Sequence, residues 1–236
     1  MTALLAVPQE NCIHLLSDGA LYTPDGVMTA IGIKAFGLPK ASAALAVRGP
    51  HHRGEILAKE LGGFSSFDGL VEDAPRALLI AANDEASEGE TLIVGFSETR
   101  GPEAWFCARD GQLSRSSWGD YFAAAPEPDR ETFAEVGFVP WKGPDDFHPI
   151  RDGVPLMEAF RQTRDRMGDV EMYGVGGFVA HTLIGAGSVT TEIIHIWPDV
   201  LGEPIDPTRK GFSMQEFRQL QAETGLKTHS EMTTKL

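Results

Sequence analysis

Short runs of apolar residues, separated by turn signals, occupy the start of the chain. Residues 2–7 (TALLAV) are typical of a buried strand, and residues 12–16 form a second apolar run that ends in the turn sequence Ser-Asp-Gly. Another turn, Thr-Pro-Asp-Gly at 23–26, precedes the apolar stretch that follows Lys34. We therefore predict two successive hairpins, which would bring residues 2, 18 and 34 to the same end of one sheet.

Helical patterns and a second β-rich block come later in the chain. Residues 54–61 and 74–83 have the apolar spacing of helices, whereas residues 172–197 are again rich in strand-forming residues. Blocks of strands and helices in this order are typical of an α+β domain in which helices cover the sheets. The pattern predicts one such domain, over residues 1–200.

A long connection interrupts this domain at residues 125–153. It is rich in glycine, aspartate and proline, and its prolines include Pro126, Pro128, Pro140, Pro144 and Pro149. The sequence leaves three interpretations open: a lid, a contact with another subunit, or a surface excursion.

Residues 201–236 are predicted to form a C-terminal extension. A capping box that begins at Ser213 predicts a short helix at about 213–224, which Gly225 would end. This helix would pack either on a neighbouring subunit or on its own domain.

Composition and charge exclude several classes of protein. The chain of 236 residues is 42% hydrophobic, with no apolar run that approaches the roughly twenty residues needed to cross a bilayer. Its start lacks the basic and apolar segments of a secretion signal, so we expect a soluble protein of the cytoplasm with no membrane partner. The net charge of −14 argues against a nucleic-acid partner, because binding phosphates requires clustered lysine and arginine.

The cysteines and paired histidines favour structural roles. Cys12 and Cys107 lie within apolar strand patterns, so we expect buried thiols, with a disulfide between them as the alternative. His51 and His52 follow a Gly-Pro turn without a nearby set of cysteine or carboxylate ligands, and we expect solvated loop residues. The sequence predicts no metal and no other cofactor.

The candidate chemistry lies at Thr2, Asp18 and Lys34. Asp18 follows Thr2 by sixteen positions, and Lys34 follows Asp18 by sixteen more. A threonine hydroxyl needs a base, and removal of Met1 would supply one in the α-amine of Thr2, whose ordinary pKa is about 7.7–8.0. An ammonium at Lys34 would favour deprotonation of the amine and hydroxyl, and a carboxylate at Asp18 would hold that lysine in place.

These residues and their turn contexts resemble the N-terminal nucleophile hydrolases, specifically the β-type subunits of the proteasome and their bacterial relatives. In that family, a threonine, an aspartate-containing turn and a lysine occur at this spacing. Residues 91–111 also resemble the family's hairpin of an apolar strand, a Gly-aromatic-acidic turn and a second strand that ends in Asp-Gly. Residues 154–166 resemble a later helix of the family, and residues 175–196 resemble its closing pair of strands.

The resemblance implies a four-layer α-β-β-α sandwich and a peptidase, or another amide hydrolase, of the threonine type. Thr2, Asp18 and Lys34 would then be catalytic, and a backbone N–H of Arg48 or Gly49 would stabilise the oxyanion. The hydroxyl that assists the terminal amine would come from one of two serines, Ser116 or Ser117. Such subunits commonly assemble into rings, so we also expect a homo-oligomer that takes a peptide or amide substrate.

The chain departs from the family at three supporting positions. Ala20 stands where the family commonly has an arginine, and Met172 and Val175 stand where it often has an aspartate and a serine. Asp169 and Glu171 are close enough in sequence to replace them if the register shifts. The sequence therefore keeps a second interpretation open, in which the chain is a catalytically inactive subunit that uses the same fold to build a larger particle.

Overall fold

The computed structural model describes residues 2–83, 89–108, 112–116, 121–167 and 169–210. Ser117 and the C-terminal helix predicted at about 213–224 lie outside these ranges. The strands in chain order are β1 (Leu4–Pro8), β2 (Cys12–Asp18), β3 (Ala20–Tyr22), β4 (Met28–Ile31), β5 (Ala35–Leu38), β6 (Ala43–Arg48), β7 (Glu90–Ser97), β8 (Gly101–Cys107), β9 (Leu113–Ser116), β10 (Phe122–Ala124), β11 (Arg164–Met167), β12 (Val170–Tyr173), β13 (Phe178–Gly185) and β14 (Ser188–Ile196). The helices are α1 (His51–Leu61), α2 (Phe67–Asn83), α3 (Arg130–Glu135) and α4 (Val154–Gln162).

Two five-stranded antiparallel sheets form the centre of the structure. The first sheet has the order β10-β1-β2-β13-β14, and the second has the order β5-β6-β7-β8-β9. Two short ribbons, β3-β4 and β11-β12, stand apart from the sheets. The mixture of helices and sheets confirms the α+β class at this level.

The path of the chain from residue 18 to residue 34 differs from the prediction. Strands β1 and β2 do form a hairpin in the first sheet. The ribbon β3-β4 then carries the chain across to the second sheet, so that Lys34 directly precedes β5. The prediction of a single sheet beneath Thr2, Asp18 and Lys34 is therefore wrong, because a turn pattern shows where a chain reverses but not which sheet the next strand joins.

The buried side chains show how the sheets and helices pack. Alternate residues of β6 point in opposite directions: Leu45 and Val47 join a cluster with α1 and α2, whereas Ala44 and Ala46 join a cluster with β1 and β2. The two sheets thus face each other through small and branched side chains. The other face of the first sheet packs against α4 through a third cluster, which includes Leu5, Leu16, Met157 and Phe160.

Two of the predicted helices are longer than their patterns indicated. Helix α1 begins at His51, so the two histidines are not in a loop, and the ring of His51 bonds the carbonyl of Ile33 at 2.8 Å. Helix α2 begins at Phe67 and continues through Pro75, whereas the pattern placed its start at residue 74. The helix predicted at 154–166 ends earlier, at Gln162, where β11 follows.

The segment 125–153 packs onto its own chain. It contains α3, and its aromatic residues Phe133, Phe138, Trp141 and Phe147 join the cluster on the outer face of the first sheet. The side chain of Gln9 ties the segment down by donating to the carbonyls of Pro144 at 2.9 Å and Phe147 at 3.1 Å. The connection therefore covers one face of the first sheet.

A row of polar side chains lies on this covered face. His14 bonds His181 through ring nitrogens at 2.9 Å, and His181 reaches a carboxylate oxygen of Glu192 at 3.4 Å. At the other end, the thiol of Cys12 lies 3.6 Å from His14. Cys12 and Cys107 are both free thiols, on the first and second sheets respectively. The middle of this row is His14, a titratable side chain that lies among apolar residues.

Burial makes this row sensitive to acid. Burial, helped by the charges of His181 and His148, lowers the pKa of His14 to about 4. An unfolded chain binds a proton at this residue below about pH 6.5, whereas the native chain does so only near pH 4. The neutral His14 therefore contributes fully to the free energy of unfolding above pH 6.5, and this contribution is lost as the pH falls toward 4. Its size is at most about 3 kcal/mol.

We expect His14→Gln to remove this part of the pH dependence. Urea unfolding of the wild type should show a free energy of unfolding that decreases between pH 6.5 and 4, and the variant should show a shallower decrease. His52→Gln, at an exposed position, is the control and should keep the wild-type slope. Equal slopes in the wild type and His14→Gln would contradict the assignment.

We also expect the start of α2 to depend on Glu98. Its carboxylate accepts the backbone N–H groups of Phe67 at 2.8 Å and Asp68 at 3.0 Å, and so it caps the helix from a distant strand end. Glu98→Ala should lower the free energy of unfolding by about 1 kcal/mol, the usual cost of a lost cap. Glu135→Ala, at an exposed position, should have little effect in the same urea titration, and an equal loss in both variants would rule out the cap.

Candidate active site

A buried ion pair between Asp18 and Lys34 lies where the two sheets meet. Asp18 ends β2 of the first sheet, and Lys34 precedes β5 of the second. The ammonium nitrogen lies 2.9 Å from a carboxylate oxygen of Asp18, and the two side chains are 4% and 0% exposed. The pair therefore joins the sheets by a charge-assisted hydrogen bond that water does not reach.

The Asp18 carboxylate also accepts hydrogen bonds from three backbone N–H groups. One oxygen accepts the N–H of Ala3 at 3.0 Å, and the other accepts the N–H groups of Ala20 and Gly176, each at 3.3 Å. With the Lys34 ammonium, four donors surround one carboxylate. Both oxygens of the Asp18 carboxylate therefore have hydrogen-bond donors.

The surroundings lower the pKa of the Lys34 ammonium. Burial disfavours the charged form and is the main cause, and the nearby charge of Arg48 acts in the same direction. The Asp18 carboxylate opposes both but does not cancel them. Burial also raises the pKa of the Tyr22 phenol, and the Lys34 nitrogen lies 5.9 Å from the centre of that ring. Lys34 is thus a lysine that releases its proton more readily than one on the surface.

Thr2 lies next to this pair and is almost fully buried, at 2% exposure. Its own carbonyl accepts the Arg48 Nε–H at 2.8 Å, and the N–H of the next residue, Ala3, is the one that binds Asp18. Arg48 is held in turn by Glu90, at 2.5 Å, and by Asp165 of β11, at 3.7 Å. The backbone of Thr2 is therefore fixed from both sheets.

The turn between β6 and α1 comes directly after this arginine. Gly49 has a φ of 134°, a conformation that residues with a side chain rarely adopt. Glycine at this position lets the chain turn from Arg48 into α1 with its backbone exposed along the turn. This is the segment in which the sequence placed the oxyanion donor.

The other predicted residues lie on other elements of the structure. Ser116 lies on β9, the edge strand of the second sheet and three strands from β6, where it pairs with Ala104. Asp169 and Glu171 are exposed, on the turn and second strand of the ribbon β11-β12. The sequence missed Gly176 and Tyr22, because neither a backbone N–H nor a single tyrosine gives a chemical signal in a sequence.

The described ranges contain neither a metal-binding group nor a membrane-spanning helix. Among these residues, no group of three or more histidine, cysteine, aspartate or glutamate side chains has the geometry to hold a metal ion. No helix in the described part of the chain is long and apolar enough to span a membrane.

Comparison with known proteins shows a likeness in structure but none in sequence. No protein-family model and no curated protein sequence matches the chain. A mutant of Anbu from Hyphomicrobium sp. strain MC1 matches 83% of this chain and 87% of its own length, with a TM-score of 0.59 and 11% identity. Anbu from Yersinia bercovieri, described as an ancestral beta-subunit, matches 82% and 87%, with a TM-score of 0.59 and 10% identity. At such identities the likeness shows the fold alone, and it supports the proteasome-like fold in coarse outline.

We expect the two members of the ion pair to differ in their effect on stability. Asp18→Ala would leave the Lys34 ammonium buried without its counter-charge, at a cost of about 3–5 kcal/mol. Lys34→Met should cost less, because Asp18 would keep its three backbone N–H donors. Urea unfolding of both variants measures the difference, and a larger loss for Lys34→Met would contradict this account of the site.

Proposed function

We propose that the chain is an amide hydrolase of the threonine-nucleophile type, a peptidase that acts through Thr2 after Met1 has been removed. The observation that carries this proposal is the buried Asp18–Lys34 pair, whose carboxylate also holds the backbone beside Thr2. A buried ion pair is rarely the most stable choice for a core, since apolar residues of similar size often stabilise it better. A positive charge held near an N-terminal amine, by contrast, favours the deprotonated forms that nucleophilic catalysis requires.

The reaction follows from the chemistry of these groups. The Thr2 hydroxyl oxygen attacks the carbonyl carbon of the amide, and the free α-amine of Thr2 takes the hydroxyl proton. The C–N bond then breaks, the leaving amine takes that proton, and an ester to Thr2 remains. Water attacks the ester with the α-amine again as base, which releases the acid and restores Thr2.

Lys34 and the turn after β6 would assist this reaction. The positive charge of Lys34 favours the neutral form of the α-amine and lowers the pKa of the hydroxyl, and Asp18 keeps the lysine in position. The oxyanion forms on the carbonyl oxygen, and we assign its donor to a backbone N–H of Gly49 or Arg48. No cofactor takes part in this scheme.

The packing supports a finer description of the fold. We infer that the three apolar clusters are the interfaces of a four-layer α-β-β-α sandwich, with α1 and α2 on one outer face and α4 on the other. The domain would extend slightly past residue 200, because Pro204 bridges to Val27 and Ile205 is buried. The extension would then begin after these residues.

A second candidate function rests on what is missing near Thr2. Met172 and Val175, both buried, occupy the positions at which the resemblance leads one to expect an aspartate and a serine. A subunit without hydrolase activity, retained for the assembly of a larger particle, accounts for that loss. In either case we propose a homo-oligomer of the cytoplasm, with a ring as its expected form. The similar structure from Yersinia bercovieri, which is described as a subunit, supports the oligomer.

The mass of the intact protein, purified from its own cells, tests the first requirement. Loss of one methionine would leave Thr2 with a free α-amine, as the hydrolase requires. Retention of Met1 would keep that nitrogen in a peptide bond, and it would favour the inactive subunit.

We further expect Thr2→Ala to abolish hydrolysis without unfolding the protein. With a panel of fluorogenic peptide amides, the rate should fall about 10³-fold or more, as it does when a nucleophile is removed. Thr190→Ala, at an exposed position on β14, is the matched control and should keep the wild-type rate. A rate that survives in Thr2→Ala would rule out Thr2 as the nucleophile.

A further inference from the structure

Arg161 and Asp199 form a second buried ion pair, in addition to the pair of Asp18 and Lys34. Arg161 belongs to α4, and Asp199 follows β14. The two guanidinium nitrogens donate to the two carboxylate oxygens at 2.8 and 2.7 Å, and the side chains are only 1% and 2% exposed. The guanidinium also lies 5.1 Å from the centre of the Trp197 ring. This bidentate geometry fixes the direction of both side chains.

The pair holds the loop that leads into β13. Asp199 accepts the N–H of Gly177 at 2.7 Å, and Arg161 donates to the carbonyl of Val175 at 3.2 Å. The residue between them, Gly176, donates its N–H to Asp18. Its carbonyl accepts the N–H groups of both residues that follow Asp18 in sequence, each at 3.0 Å. A continuous set of hydrogen bonds thus runs from Arg161 to Asp18.

The loop has no room to shift toward this pair. A Cβ atom added at Gly176 would lie 2.6 Å from a carboxylate oxygen of Asp199 and 3.1 Å from a guanidinium nitrogen of Arg161. The backbone of the loop therefore lies directly against the charged groups. A change in the pair would be transmitted to the Gly176 N–H and so to Asp18.

We propose that Arg161 and Asp199 are positioning residues, which set the place of Asp18, and through it of Lys34, by holding the loop of residues 175–177. Arg161, from α4, and Asp199, from beyond β14, hold this loop by hydrogen bonds. Met172 and Val175 have apolar side chains and cannot do so. This role rests on the proposed hydrolase function. It adds to the site two residues that act on Asp18 through the loop and not through a hydrogen bond of their own to Thr2 or Lys34.

The test must separate positioning from simple stabilisation. The double variant Arg161→Met/Asp199→Leu removes both charges together, so that neither is left buried alone, and such replacements often keep stability. It also removes the acceptor of the Gly177 N–H. We expect the folded double variant to lose about 100-fold in kcat, the usual effect of a small misplacement, with little change in KM. The pair Asp73 and Arg76 on α2, whose side chains are 28% and 55% exposed, provides the control, Asp73→Leu/Arg76→Met, which should keep the wild-type kcat.

A second pair of variants carries the test if the double variant does not fold. Gly176→Ala forces the loop away from Asp199 without any change in charge, and we expect the same loss of kcat. Gly63→Ala is its control, because a Cβ at Gly63 meets no atom within 4 Å. Folded variants of either design with wild-type kcat would overturn the proposal.

A readout that does not need activity separates this proposal from the proposed function. Lys34 is 3% exposed, so acetic anhydride should modify it slowly in the wild type and severalfold faster once the loop no longer holds Asp18. If the wild type hydrolyses no amide but the variants show this faster modification, the hydrolase function fails and the positioning role stands. Modification of Lys34 at the wild-type rate in folded variants would overturn the positioning role, whatever the activity.

Discussion

The Asp18 carboxylate is the constraint on which the centre of this structure depends. It accepts hydrogen bonds from the segment before β1, from the first residue of β3, from the lysine before β5 and from the loop before β13. These donors belong to the first sheet, to the ribbon β3-β4 and to the start of the second sheet. One buried charge with four donors therefore sets the relative positions of elements that the apolar clusters only bring near each other.

Such an arrangement costs free energy before it contributes any. Transfer of a carboxylate and an ammonium from water to the interior carries a penalty of several kcal/mol per ion, which good geometry has to offset. The hydrogen bonds to Asp18 offset part of this penalty, because the backbone N–H groups that donate them would otherwise need other partners. The Arg161–Asp199 pair is a second buried ion pair whose charges are also satisfied by the backbone, here by two carbonyls and one N–H.

The likeness to Anbu supports a proteasome-like fold in coarse outline, although only about one residue in ten is identical. Met172 lies on β12 and Val175 lies in the loop before β13, and Asp199 binds that loop from beyond β14. A shared fold does not by itself assign a function, which depends on the residues of the site.

Local patterns in the sequence were enough to predict the first two strands, the existence of α1 and α2, and the candidate residues Thr2, Asp18 and Lys34. Alternation and turn residues act over a few positions, so a sequence displays them directly. Contacts between distant residues decided the rest. Glu98 sets the start of α2 from another strand end, and the ribbon β3-β4 carries Lys34 to the second sheet. Arg161 and Asp199 meet only because α4 and the end of β14 pack together, and no local pattern encodes such a meeting.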